Sequence, residues 1–254
     1  MSSAIKISRW YILPVLLIFL WQGVYLIVRE PAMSSPLQSG FDLFTNIHLW
    51  LKDILFTLQA LLISFLISAF MGILIGFFIG LSSFWTQTMN PILLSLYSIP
   101  KVAIYPVFLL AFGLTLEGRI AFSVLHGVFP IAIICISATQ NVPKIFLKLA
   151  QSYRMTFWQK ARYILIPSIM PQLVVGLRMA FSLCFLGLIL AEMFASYEGI
   201  GYRLMHYTSL NRSSYILALF LIIIFIALFF TYLFLLWQEQ NERKIGKSNV
   251  HFDS

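Results

Sequence analysis

The sequence predicts an all-α membrane protein with six transmembrane helices, and three observations predict it. Of its 254 residues, 60% are hydrophobic and 10% are charged, against about 25% charged in an ordinary soluble domain. The apolar residues come in runs long enough to cross a bilayer, where a soluble core would show short periodic stretches. The basic residues collect in alternate connections between those runs. That bias accounts for the net charge of +8 without a nucleic acid partner.

The first run, residues 10–28, is long enough for the hydrocarbon core at 1.5 Å per residue, and Lys6 and Arg9 precede it. It has no small-residue cleavage site and reads as a retained helix. Residues 29–53 are polar and punctuated by Pro31 and Pro36. They read as an external loop with a short amphipathic piece at 44–51. The second span covers about 54–81. Along it Ala60, Ser64, Ser68, Gly72, Gly76 and Gly80 recur every four residues, a ladder of small side chains on one face that allows close helix packing in lipid. The third span, about 91–114, contains Pro100 and Pro106. Each removes a backbone donor, so both are expected to break or kink it. Irregular backbone at membrane depth survives only against protein or a water-filled cavity, which makes this stretch a candidate pathway lining. The fourth span is about 120–139 with Pro130 inside it, the fifth 173–195 and the sixth 215–237. The chain therefore divides into an N-terminal helix and loop (1–50), a five-helix core (51–240) and a charged tail (241–254).

Six spans place both termini on one side. That side holds Lys6, Arg9, Lys144, Lys148, Arg154, Lys160, Arg162, Arg243, Lys244 and Lys247. The other mixes Arg29, Lys52, Lys101, Arg119, Arg203 and Arg212 with Glu30, Asp42, Asp53, Glu117 and Glu198. The positive-inside rule makes the first side, and both termini, cytoplasmic. Cys135 and Cys184 lie inside apolar runs and form no CxxC pattern. The four histidines lack metal-ligand spacing. No GxxxxGK[ST] run occurs, so ATP hydrolysis is not expected from this chain.

The longest cytoplasmic connection, 144–171, carries basic charge and no acid, and ends in Pro167 and Pro171. Ala150, Tyr153 and Phe157 share a helical face that Ala161 and Leu165 continue. The two prolines are expected to end the helix before the fifth span begins. Two readings fit: a basic amphipathic helix resting on anionic lipid, or a docking element for a soluble partner with Phe157 and Trp158 as anchors.

The stretch "LAQSYRMTFWQKARYILIPSIMP" resembles the EAA loop of ABC importer permeases. Ala150 matches the motif's alanine, and Ile164-Leu165-Ile166-Pro167 matches its I-x-L-P end. Lys148 or Leu149 stands where that pattern has Glu, and Arg154 where it has Gly. "SIPKVAIYPVFLLAFG" (98–113) and "GLRMAFSLCFLGLILAEMFASYEGIGY" (176–202) resemble stretches of the subgroup that imports nitrate, sulfonates, taurine and vitamin precursors. The resemblance implies the type I ABC importer permease fold and a subunit of the bacterial inner membrane, most simply a homodimer. It implies soluble ATPase subunits, which hold ATP and Mg, and an extracytoplasmic binding protein that delivers substrate. The substrate is then a small anion or a vitamin or pyrimidine precursor. By resemblance, the coupling contacts map to Ala150, Gln151, Ser152, Arg154, Met155 and Thr156. Small side chains at Ala150 and Ser152 would allow close approach to the ATPase, and Arg154 would need an acidic partner there.

Ionisable residues within spans are functional candidates. Glu192 sits near the outer end of the fifth span, either reaching water or serving the external gate or pathway. Arg178, nearer the start of that span, either snorkels to the inner surface or lines the pathway. Gly199 and Gly201 permit a tight turn at the outer mouth. Three rival classes remain. A secondary transporter driven by a proton or sodium gradient would need more buried ionisable groups and often shows repeats. A membrane-embedded enzyme would need a polar catalytic cluster. A simple anchor would not need a proline-broken span.

Overall fold

The computed structural model describes residues 16–27 and 34–250. Lys6, Arg9, positions 10–15 of the first expected span, Arg29, Glu30 and Pro31 lie outside the described residues, as do the side chains of Arg243, Lys244 and Lys247. The described chain is helical: a shorter apolar helix α1 (Leu16–Ile27), then α2 (Pro36–Gly80), α3 (Ser83–Ser98), α4 (Lys101–Phe112), α5 (Leu116–Gln140), α6 (Lys144–Ser152), α7 (Phe157–Lys160), a π turn (Ala161–Leu165), α8 (Ile166–Ala195), α9 (Ile200–Ser209) and α10 (Ser213–Val250).

Four of these are long and apolar enough to cross a membrane: α2, α5, the continuous Phe157–Ala195 rod and Ser213–Asn241 of α10. A fifth is the pair α3 and α4, bent by 87°. Six spans are thus four or five among the described residues, with α1 as a shorter apolar helix. The bend falls at Pro100, which precedes the first residue of α4. Pro106 lies inside α4 and does not end it.

Two expectations are corrected. Residues 36–53 are not a loop but the first turns of α2, a helix of 45 residues. Pro36 occupies a first-turn position, where its missing N–H costs nothing, and Ser35 caps the helix by accepting from the Gln38 N–H. Likewise, Pro167 and Pro171 do not break the helix before the fifth span, which runs unbroken from Phe157 to Ala195. Ile166 donates to the Ala161 carbonyl, a wide π turn that shifts the hydrogen-bond register just before Pro167. Burial of Ile169, Leu173 and Val174 then holds the chain helical through Pro171.

α5 lies at the centre, between α2 and α8. It buries Phe122, Ile131, Ala132, Cys135 and Ile136. Ser64, Ser68, Gly72 and Gly76 form the buried face of α2, and Ser68 donates to the Val124 carbonyl of α5. The backbones approach so closely that a Cβ at Gly76 would sit 2.5 Å from the Ala132 carbonyl oxygen. In lipid such packing, rather than hydrophobic drive, holds helices together.

Candidate functional site

At one end of the molecule the chain reverses direction between α6 and α7. Arg154 is left-handed, with φ 46°. Its N–H donates to the Gln151 carbonyl at 3.0 Å, and the Met155 N–H to the Ala150 carbonyl at 2.9 Å. This is a Schellman ending, and Met155 and Ala150 pack into one apolar cluster with Ile164, Leu165 and Leu173. Thr156 then opens α7 with a reciprocal capping box to Gln159. The single helical face expected through Ala150, Tyr153 and Phe157 is therefore interrupted at 153–156.

This geometry sorts the candidate contact residues. Ala150 is 2% exposed and Met155 half-buried, both against the protein's own core. The expected close approach of a partner to the Ala150 methyl does not fit that placement. Gln151, Ser152, Arg154, Thr156, Phe157 and Trp158 face outward. Trp158 is 78% exposed and meets Phe157 edge-to-face at 5.6 Å. Ile145 and Leu149 of α6 are also exposed. The result is an apolar, aromatic surface set among Lys144, Lys148 and Arg154.

At the opposite end three helices meet in a polar lock. α9 begins at Gly199, whose φ is 104° and which offers no side chain as a cap. Other helices supply the caps instead. The Gly199 N–H donates to Asp53 Oδ1 at 2.9 Å, the Ile200 N–H to Thr57 Oγ1 at 3.0 Å, and the Gly201 N–H to Glu192 Oε2 at 2.9 Å. The Thr57 hydroxyl in turn donates to Glu192 Oε1 at 2.9 Å. Two carboxylates thus face a helix N-terminus, where its dipole and free N–H groups favour them. Arg203 of α9 closes the ring, its Nε 2.6 Å from Asp53 Oδ2. That hydrogen bond holds the guanidinium above its ordinary range.

Glu192 is 0% exposed, so it does not reach water. Gly199 and Gly201 have no room for side chains beside it: a Cβ at Gly199 would lie 2.4 Å from the Glu192 carboxyl carbon. Further out, Lys52 pairs with Glu198 at 2.8 Å. Arg119 bonds the Ser196 hydroxyl and stacks over Phe56 at 4.8 Å. Tyr105 of α4 donates to the Ala191 carbonyl at 2.9 Å, which ties the bent span to the residue beside Glu192. Pro100 and Pro106 are both exposed. Arg178 is half-buried on α8.

Sequence reasoning missed Asp53, Thr57, Tyr105, Arg119 and Arg203. A signal existed for two of them. The four-residue ladder of α2 continues backwards through Thr57 and Asp53, so its polar end lies on the same buried face.

Residues 72–247 match the family described as "Binding-protein-dependent transport system inner membrane component". The chain is 31% identical over 150 residues to the nitrate import permease protein of Synechococcus elongatus, covering 59% of this chain and 54% of that one. It is 28% identical over 192 residues to a "Probable ABC transporter permease protein" of Haemophilus influenzae, covering 75% and 78%. It is 27% identical over 197 residues to the formylaminopyrimidine transport permease protein of Halalkalibacterium halodurans, covering 74% and 76%. Other relatives carry names for aliphatic sulfonate and taurine transport.

Proposed function

Because this chain belongs to the family of binding-protein-dependent transport system inner membrane components, we propose that it is the permease subunit of an ATP-driven importer. Two copies form the pathway, a binding protein delivers substrate from outside, and a separate cytoplasmic ATPase binds ATP and Mg. The substrate is a small anion such as nitrate, taurine or another sulfonate, or a pyrimidine precursor, in line with the names of the relatives.

The observation that carries this reading is the reversal at 153–156, which presents Trp158 and Phe157 outward beside basic residues. Exposed aromatic anchors ringed by charge suit a protein partner better than lipid, because they supply desolvated contact at the centre of an interface. The same residues begin a lever. From Phe157 the helix runs unbroken to Ala195, and Glu192 near its far end caps α9. A displacement of α7 by an ATPase is delivered along that rod to the outer lock, with the π turn as its bending point. ATP-dependent approach of the two coupling segments would then open the outer mouth.

Purification of the tagged protein from its native membranes in mild detergent tests this directly. A stoichiometric ATPase should co-purify from the wild type and be lost from Trp158→Glu, a change at an exposed position that leaves the core intact. If gentle cross-linking captures no ATPase from the wild type, the segment is a lipid-resting helix. Gradient-driven secondary transport then takes first place.

A further inference from the structure

α3, α8 and α10 border an open cavity of about 280 Å³ lined by Tyr97, Arg178, Met179, Ser182, Leu183 and Thr231. Its position is unusual for a cation. Arg178 stands on the Phe157–Ala195 helix, one of those long and apolar enough to cross a membrane. The ion pairs among the described residues are Lys52–Glu198 and Arg203–Asp53, and neither reaches it. No Asp or Glu occurs in α3 or α4, and α10 has none before Glu239. The one acid of α8, Glu192, is committed to Thr57 and Gly201. An intramembrane guanidinium with no protein carboxylate is costly unless it faces water or a ligand.

The remaining lining is mostly apolar, so the cavity's preference for charge rests on Arg178. Tyr97 and Thr231 are among its lining residues, and the Ser182 hydroxyl donates to the Arg178 carbonyl at 3.3 Å. Behind Tyr97, at the bend of the broken span, Lys101 donates to the Tyr97 carbonyl at 2.9 Å, and its Nζ lies 4.5 Å from the ring centroid. That cation draws electron density from the phenol and makes its O–H a better donor. The guanidinium adds planar, paired N–H groups that match two oxygens of an oxyanion. The cavity is close to the smallest size found for small-molecule pockets.

We propose that this cavity is an anion subsite on the translocation path, which takes a small oxyanion head group, sulfonate, nitrate or carboxylate, on Arg178. The proposal deepens the permease reading and rests on it.

Thiol labelling of Ser182→Cys in membrane vesicles tests it. The reagents are a pair of methanethiosulfonates of similar size, one bearing a sulfonate and one a trimethylammonium. Cys135 and Cys184 are buried, so the wild-type chain sets the background. The anionic reagent should react about tenfold faster than the cationic one, a local enrichment set by the cavity's charge. Adding Arg178→Gln should abolish that preference while the cationic reagent still reacts, which shows that the fold persists. Millimolar methanesulfonate or nitrate should slow labelling of Ser182→Cys alone, but not of the double variant. No labelling by either reagent would mean a lipid-facing crevice and would overturn the subsite, as would a preference that survives Arg178→Gln. Absence of the ATPase with charge selectivity intact would remove the importer reading and keep an anion path. A co-purifying ATPase with no selectivity would remove the subsite alone.

Discussion

Met155 donates its backbone N–H to the Ala150 carbonyl at 2.9 Å, and this bond turns the chain out of α6 through a left-handed Arg154. A non-glycine residue there is strained by contact between its Cβ and the backbone, by about 1 kcal/mol. Arg154→Gly should therefore stabilise the segment by about that amount, read as slower hydrogen exchange at the Met155 amide. Arg154→Val should act in the opposite sense, because a β-branched residue tolerates positive φ least. Unchanged exchange in both variants would mean that the turn is not formed in the membrane-bound protein.

The polar lock at the start of α9 depends on Glu192 as an acceptor. Glu192→Ala leaves the Gly201 N–H and the Thr57 hydroxyl buried without it. An unpaired buried donor costs about 1–3 kcal/mol, so the variant should melt well below the wild type in nanodiscs. Glu192→Gln keeps one acceptor oxygen and should fall between the two. A Gln variant as damaged as Ala would show that charge facing the helix terminus, rather than hydrogen bonding, holds α9.

Gly76 measures the α2–α5 contact. Its missing Cβ would lie 2.5 Å from the Ala132 carbonyl and 2.6 Å from Cys135 Cβ. Gly76→Leu has no room to relax sideways between two helical backbones. It should lower stability by about 3 kcal/mol, the upper range for overpacking, seen as a lower aggregation temperature in detergent. Gly23→Leu meets nothing within 4 Å and serves as the control.

The Lys52–Glu198 pair gives a pH signature. The hydrogen bond from Lys52, and then its charge, hold the Glu198 carboxyl below its ordinary value of 4.5. A depressed carboxylate contributes stability that is complete above the ordinary value and is lost as pH falls through the lowered one. Attachment of α9 should thus weaken in acid, and Glu198→Gln should flatten that limb of the profile. The pair is exposed, so added salt should shrink the effect.

Much of this architecture is legible in the sequence because membrane helices advertise themselves by unbroken apolar length. The bend at Pro100 and the end of α8 at Ala195 could be placed from residues alone. Pro36 and Pro167 misled for one physical reason. Proline is harmless in a first turn or after a shifted register, and local sequence does not reveal which applies. Glu192 was legible as an intramembrane acid but not as a buried one. Its partners Thr57 and Gly201 come from two other helices, and such pairings carry no local mark. The left turn at Arg154 was visible as a departure from the glycine of the importer motif, although not as a backbone conformation.

The borrowed cap of α9 also fixes an order of assembly. Asp53 and Thr57 enter the membrane far ahead of the backbone N–H groups they will bond, and Glu192 arrives only a few residues before them. A nascent chain halted after α8 would therefore hold Asp53 without a donor and Glu192 with the Thr57 hydroxyl alone. Only synthesis through Arg203 conceals both. The lock is in this sense a completion mark: only a copy synthesised through Arg203 offers both acids their full set of donors.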